Sequence, residues 1–310
     1  MTRKELGGTL LASVSRSFYL SIKALPAALR EPIGLAYLLA RISDTIADAA
    51  DAPLPTRLEA LRDFQHQIVA GESCGLQISL SATNPAEQKL LGHVPEALAW
   101  LAAIEGADHA DIVWVLGIII SGQIMDITRA WPVKSTEELD DYTWRVAGCV
   151  GEFWTRICFR HLPRYARLPL EEMIALGIRF GKGLQLVNIL RDQAEDRRNG
   201  RIYLPGDPAT ATAHWLRTAR KHFTATGQYI AAVRPWRLRY ALILPWQLGL
   251  RTLDRLEAAG DAVATERIKV PRKEVQALLF TALWPACSNR ALHALQKQSG
   301  FPLAREEKLR

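Results

Sequence analysis

Ile33-Gly34-Leu35-Ala36-Tyr37-Leu38-Leu39-Ala40-Arg41-Ile42-Ser43-Asp44-Thr45-Ile46-Ala47-Asp48 is the stretch on which the reading of this chain turns. Nearly every position is Ile, Leu or Ala. The polar exceptions Tyr37, Arg41, Asp44 and Asp48 are spaced 4, 3 and 4 apart, which puts them in one stripe on one face of a helix. A helix that is apolar all round is normally buried. A buried helix with a single acidic stripe must aim that stripe at something other than bulk water, and an internal cavity is the simplest answer.

A second segment, Leu170 to Asp196, repeats the pattern. Gln185, Asn188, Asp192 and Asp196 are spaced 3, 4 and 4 apart, with Glu195 at the edge of the stripe. Most of the remainder is apolar, from Met173 through Phe180 to Leu190, although Lys182, Arg191 and Gln193 interrupt it.

Working outward, apolar residues recur at 3–4 spacing in most of the chain, and period-2 alternation is almost absent. The periodicity predicts helices near 31–50, 56–70, 85–104, 108–130, 136–161, 170–197, 208–233, 236–259 and 272–297, separated at Pro and Gly clusters such as Trp131-Pro132, Leu162-Pro163 and Pro205-Gly206-Asp207-Pro208. The polar stretch about 71–86 reads as a surface loop. The expected class is therefore all-α. The 310 residues are 49% hydrophobic and 23% charged, which excludes a disordered chain. Lys and Arg exceed Asp and Glu by 39 to 32, a net charge of +7 that suits an anionic substrate, an anionic membrane or a nucleic acid without choosing among them. The four cysteines Cys74, Cys149, Cys158 and Cys287 form no CxxC pair, which fits a reducing compartment. No signal peptide is legible at Met1–Arg16. The longest uncharged run, Ile112 to Met125, is shorter than the roughly 20 residues a bilayer span needs.

An Asp-x-x-x-Asp pair on a helix is usually a solvated face balanced by Arg or Lys. Here two pairs occur, each on a largely apolar helix, and like charges four apart repel, the more so when buried. Such a sequence calls for a cation. Hard carboxylate oxygens with neither His nor Cys point to Mg²⁺, which keeps waters and takes phosphates as co-ligands. The competing motifs are missing: no Walker loop, no GxGxxG after a strand, no His-x-x-x-His and no GxSxG. The basic cluster Arg197-Arg198-Asn199-Gly200-Arg201 would by itself be a solvated helix end; beside a Mg²⁺ site it is a candidate diphosphate clamp. In Tyr142-Thr143-Trp144-Arg145-Val146-Ala147-Gly148-Cys149-Val150-Gly151 the small residues either pack two helices closely or leave room for a long ligand chain, and Tyr142 lies one turn before them.

In combination these pieces resemble the squalene/phytoene synthase family. The matching segments are Ser15-Arg16-Ser17-Phe18, Tyr37 through Arg41 to Asp44-Thr45-Ile46-Ala47-Asp48, Tyr142 to Gly151, Gln185-Leu186-Val187-Asn188-Ile189-Leu190-Arg191-Asp192 through Glu195-Asp196, and Gly200-Arg201-Ile202-Tyr203-Leu204-Pro205, in family order over about 13 to 205. Weaker similarity runs through Arg239–Leu253 and Ile268–Leu279.

The resemblance implies an all-α isoprenoid-synthase fold, one domain over 1–310 around a deep central cavity, and head-to-head joining of two prenyl diphosphates. Carried over by position, Asp44, Asp48, Asp192, Glu195 and Asp196 are implied as the Mg²⁺ site. Arg16, Tyr37, Arg41, Gln185, Asn188, Arg191 and Arg201 are implied on the substrate. Tyr142, Arg41 and Asp48 are implied as catalytic. The Asp-Thr-Ile-Ala-Asp wording and the segment Ile268-Lys269-Val270-Pro271-Arg272-Lys273 are similar to squalene synthases, which implies NADPH at Lys269 and Arg272; Arg145 is more like phytoene synthases. The squalene branch is the expectation and a phytoene or diapophytoene synthase the alternative. A non-catalytic prenyl-lipid binder is the reading outside enzymes, though both acidic motifs are intact. No nucleic-acid partner is expected. The expected location is the cytoplasm, with peripheral contact at the inner membrane left open.

Overall fold

In a computed structural model of the chain, residues 1–15, 18–49, 51–71, 78–266 and 268–298 are described. Arg16 and Cys74, both named above, lie outside them. About four in five of the described residues are helical, and their only β-type pairing is an isolated bridge between Ala166 and Val233. The all-α expectation holds. The chain expected as one domain divides by contact into two compact units, Met1–Arg129 and Ala130–Arg310.

The first unit begins with α1 (Arg3–Glu5), a π-turn at Leu6–Leu10, α2 (Leu11–Ser15) and α3 (Phe18–Ala24), followed by α4 (Ala27–Ala47), α5 (Leu54–Ala70), α6 (Pro85–Leu91), α7 (Val94–Ala102) and α8 (Gly106–Thr128). No helix was expected before residue 31. The run at 85–104, expected as one helix, breaks at Gly92-His93, where Gly92 caps α6 and Pro95 opens α7. Of the loop expected near 71–86, residues 78–84 are non-helical, 85 and 86 already belong to α6, and 72–77 lie outside the described residues. α4 is the central helix and packs on α5, α7 and α8. Leu35, Leu38, Leu39, Ile42 and Ile46 are fully buried. Its buried hydroxyls bond backward along the helix, Ser43 to the Ala40 carbonyl and Thr45 to the Arg41 carbonyl, both at 2.8 Å. α4 ends earlier than expected: Asp48 is its C-cap, and Arg57 donates to the Ala47 carbonyl at 2.8 Å, satisfying an end carbonyl the helix cannot.

The second unit holds α9 (Thr136–Thr143), a π-turn at Trp144–Gly148, α10 (Cys149–His161), α11 (Leu170–Arg198), α12 (Pro208–Ala232), α13 (Trp236–Ala259), a 3₁₀ turn at Gly260–Ala264, α14 (Arg272–Thr281), α15 (Leu283–Cys287) and α16 (Asn289–Gln298). The stretch 136–161 is helical throughout, as expected, but changes register at the π-turn. The stretch expected as one helix over 272–297 is three helices, with Pro285 in the middle one and Ser288 extended after it. α11 is central and packs on α10, α12 and α13.

The glycines of α11 show which reading of the small residues is right. A Cβ on Gly181 would stand 2.1 Å from the Ala147 carbonyl oxygen, and one on Gly151 would stand 1.9 Å from that of Gly177. Helix α11 meets α10 and the π-turn backbone to backbone, so these small residues are a helix contact, and the space for a ligand chain that the sequence also allowed at them is filled. Beneath lies a buried hydroxyl chain, Thr155 to Tyr229 at 2.8 Å and Tyr229 to Tyr165 at 2.6 Å.

α8 and α11 are long and apolar enough to cross a membrane by length and composition, which a search for uncharged runs alone did not register. Yet 44% and 50% of their most apolar windows are already buried within the protein, as in core helices. Cys149, Cys158 and Cys287 are free thiols; burial pushes the Cys149 thiol up to about 12, which removes it as a nucleophile.

Candidate functional site

The stripe read on α4 is its accessible face. From Pro32 to Ala47, only Tyr37, Ala40, Arg41 and Asp44 are not buried, and the C-cap Asp48 is exposed. Helical spacing therefore sorts the polar residues from the core as the sequence predicted.

Asp44 is held from a neighbouring helix. Gln123 of α8, itself 8% exposed, donates Nε2 to Asp44 Oδ1 at 2.5 Å. The Asp44 carboxyl is pushed up to about 6, first by desolvation and second by the negative charge of Asp48. Arg41 and the Gln123 bond offset only part of this. The carboxyl retains a path to solvent, with 47% of its side-chain surface accessible, so it is crowded rather than sealed. Arg41 Nη1 stands 3.8 Å from Asp44 Oδ2, while its Nη2 is bound by Glu87 of α6. Burial opposes the Arg41 charge, but Glu87 and Asp44 more than compensate and hold its pKa above the ordinary value.

The second stripe lies on the accessible face of α11. Gln185, Asp192 and Asp196 are half-buried and Asn188 and Glu195 exposed, while Leu186, Val187, Ile189, Leu190, Gln193 and Ala194 are buried. Arg191 grips Asp192 through two bonds, Nε to Oδ1 at 3.1 Å and Nη2 to Oδ2 at 2.5 Å. The family resemblance implies Arg191 on the substrate and Asp192 on the metal; here they hold each other. After α11 the chain turns at Asn199-Gly200, where Gly200 takes φ +74°, and the Arg201 amide donates to the Asp196 carbonyl at 2.8 Å. That turn brings Gly-Arg-x-Tyr-Leu-Pro back onto the end of α11. Asp196, Arg201 and Tyr203 line one small niche there, with Ile189 and Gln193 behind them.

Tyr142 is 6% exposed and stacks on Tyr203, with ring centroids 5.4 Å apart and planes at 22°. Trp131 also meets Tyr203, edge-on, with ring centroids 4.8 Å apart. Lys269 and Arg272 are exposed, Arg272 in the first turn of α14.

Three residues with structural claims on these sites escaped the sequence reading. Gln123 sits inside the uncharged run Ile112–Met125, which was weighed only as a membrane span; a lone amide in an apolar helix was the available signal. Glu87 gave none, because its role depends on where a short helix docks. Tyr203 was noted for the family motif and not for its stacking.

A family model described as squalene/phytoene synthase matches residues 11–212 and 209–274. The chain belongs to the squalene/phytoene synthase family. It is 30% identical over 299 residues to a phytoene synthase of Arthrospira platensis, covering 86% of this chain and 88% of that protein. It is 29% identical over 290 residues to a presqualene diphosphate synthase of Sinorhizobium fredii, covering 86% and 93%. The solved structure of TcSQS with the ligand E5700 superposes at a TM-score of 0.79 with 19% identity, over 97% of this chain and 93% of that one. A dehydrosqualene synthase in complex with a ligand gives 0.64 with 16% identity, over 95% and 98%. These likenesses establish the isoprenoid-synthase fold. Squalene/phytoene synthase family members are prenyltransferases, and this chain is a transferase that condenses prenyl diphosphates.

Proposed function

We propose that the chain condenses two farnesyl diphosphates head to head through presqualene diphosphate and reduces the product to squalene with NADPH. The observation that carries the cation-dependent part is Asp44: a crowded carboxyl, raised first by desolvation and then by its neighbour Asp48, and pinned by Gln123, whose own Oε1 is buried without a hydrogen bond. Such a group gains from a cation. Among the described residues no three His, Cys, Asp or Glu side chains converge into a closed metal cage. Mg²⁺ ordinarily takes one or two carboxylates and completes its shell with waters and substrate phosphates, so the residues fit it.

Asp44 and Asp48 would hold Mg²⁺ on α4, and Asp192, Glu195 and Asp196 would do so on α11. Bound there, the metal would neutralise charge on a leaving diphosphate. Arg41 and Arg201 add fixed positive charge to the same task, Arg41 kept in place by Glu87. Arg191 serves that role once a cation competes for Asp192. Tyr37, Gln185 and Asn188 present polar groups on the two accessible stripes for hydrogen bonds to substrate. Tyr142, fixed by its stack on Tyr203, offers a phenol for proton transfer or for facing a carbocation. Lys269 and Arg272 carry charge that suits the phosphates of NADPH.

A phytoene-type synthase is the second reading. Sequence identity to the Arthrospira protein and Arg145, held by Asp141 at 2.8 Å, favour it. The test is incubation of purified protein with farnesyl diphosphate and Mg²⁺, with and without NADPH, and mass analysis of the hexane extract and the aqueous phase. Squalene formed only with NADPH supports the proposal. A C30 triene formed equally without NADPH assigns the carotenoid branch, and presqualene diphosphate accumulating in both arms removes the reduction step. Turnover of geranylgeranyl diphosphate alone removes the farnesyl assignment.

A further inference from the structure

Large apolar side chains are normally covered, yet Phe280 is 75% exposed, Trp284 71%, Leu283 44% and Trp236 47%. These four form one neighbourhood. Phe280, Leu283 and Trp284 are spaced three and four apart across the junction of α14 and α15, where Ala282 keeps helical geometry, so they share a face. The start of α13 lies against that junction: Tyr240, one turn beyond Trp236, donates to the Leu279 carbonyl at 3.0 Å, and Arg239 to that of Ala286 at 3.5 Å.

The segment that carries the patch is mostly basic. From Ile268 to Gln298 the basic residues are Lys269, Arg272, Lys273, Arg290 and Lys297, and the single acidic residue is Glu274. Glu274 is already engaged by Arg255 at 2.6 Å and Arg251 at 3.6 Å. Arg237 lies over the Trp236 ring, 5.6 Å from its centroid, and adds another positive group at the edge.

We propose that this face docks on an anionic lipid bilayer, with Phe280, Leu283 and Trp284 entering the headgroup and upper acyl region and Lys273 and Arg290 resting on lipid phosphates. Protruding Trp and Phe flanked by Lys and Arg are the chemistry of an interfacial anchor. A second copy of the chain is a poor occupant, because a two-fold contact would set the same cationic residues against themselves. The inference rests on the patch alone and does not depend on which product the enzyme makes.

The experiment is flotation of the purified full chain with vesicles of phosphatidylcholine alone and of equal phosphatidylcholine and phosphatidylglycerol, in low and in high salt. The parent is expected to float with the anionic vesicles and to bind far less in high salt or on the neutral ones. Phe280→Ser with Trp284→Ser should lower binding by at least about tenfold. Lys273→Gln and Arg290→Gln should each lower it on the order of fivefold. All three variants should keep the parent's thermal melt and its turnover in detergent. Equal flotation of the aromatic variant and the parent overturns the proposal, as does a parent that floats with neither vesicle. A parent dimer that the aromatic variant converts to monomer overturns it in favour of a second copy.

Discussion

Helices α4 and α11 hold matching positions in their units. Each is the central helix and each turns a carboxylate stripe to its accessible face, but they are seated by different means. α4 is held by side chains: leucines and isoleucines fill the space around it, and a Cβ on Gly34 would meet the Leu11 and Ile22 side chains at 3.5 and 3.8 Å, ordinary contact distances. α11 is held by backbone approach at Gly177 and Gly181, where no Cβ fits. Their acids differ in the same sense. Asp44 takes its support from another helix through Gln123, whereas Asp192 takes it from Arg191, its own neighbour in sequence. Equal spacing of polar residues therefore conceals unequal settings, and the two helices should respond differently to equivalent changes.

The largest effect expected is one they share. Asp48→Asn and Asp192→Asn should each lower turnover by at least about a hundredfold while circular dichroism stays that of the parent. Retained activity in either would break the symmetry of the two stripes and confine the cation to the other helix. Seating separates them next. Gly181→Ala should cost about 3 kcal/mol in denaturant unfolding, since its methyl would have to displace backbone. Gly34→Ala should be neutral or stabilise by up to about 1 kcal/mol through helix propensity. Similar losses at both positions would mean that the two helices are seated alike.

Smaller again, Tyr142→Phe should slow turnover about tenfold with KM little changed, since the stack on Tyr203 survives and only the hydroxyl is lost. An unchanged rate would reduce Tyr142 to a packing residue. The mildest prediction concerns Asp44 without metal. Its folded-state pKa is raised to about 6 from the ordinary 3.8, so the folded state binds the extra proton and stability falls as pH rises between those values. Asp44→Asn removes that cost. In chelator it should melt slightly above the parent at pH 7, by about a degree or two because solvent screens the partly accessible carboxyl, and the gap should close by about pH 3, where the parent carboxyl is largely neutral whether folded or not. A gap that persisted at low pH would place the effect in packing rather than charge.

Much of this was legible from residue order because helical period is a local property. Tyr37, Arg41, Asp44 and Asp48 fall on one face wherever the helix packs, and so do Gln185, Asn188, Asp192 and Asp196. Pro and Gly clusters marked most ends to within a few residues. The misses share one cause. The breaks at Gly92-His93 and Ser288, and the π-turn at Trp144–Gly148, leave apolar spacing nearly intact on either side, so a periodicity reading runs through them. The described residues between 3 and 24 form short helices and a π-turn, each lacking a repeat long enough to read.

The sequence by itself determined the helical class, the two acidic stripes and the family, since each rests on spacing within one segment or on motifs in fixed order. Only the tertiary structure decided that Gln123 pins Asp44, that Glu87 holds Arg41, that Tyr142 stacks on Tyr203 and that the small residues before Gly151 are a helix contact. Each of these joins segments from about 26 to 79 residues apart, and a side chain's partner across such a gap is set by how helices pack, which no local pattern encodes.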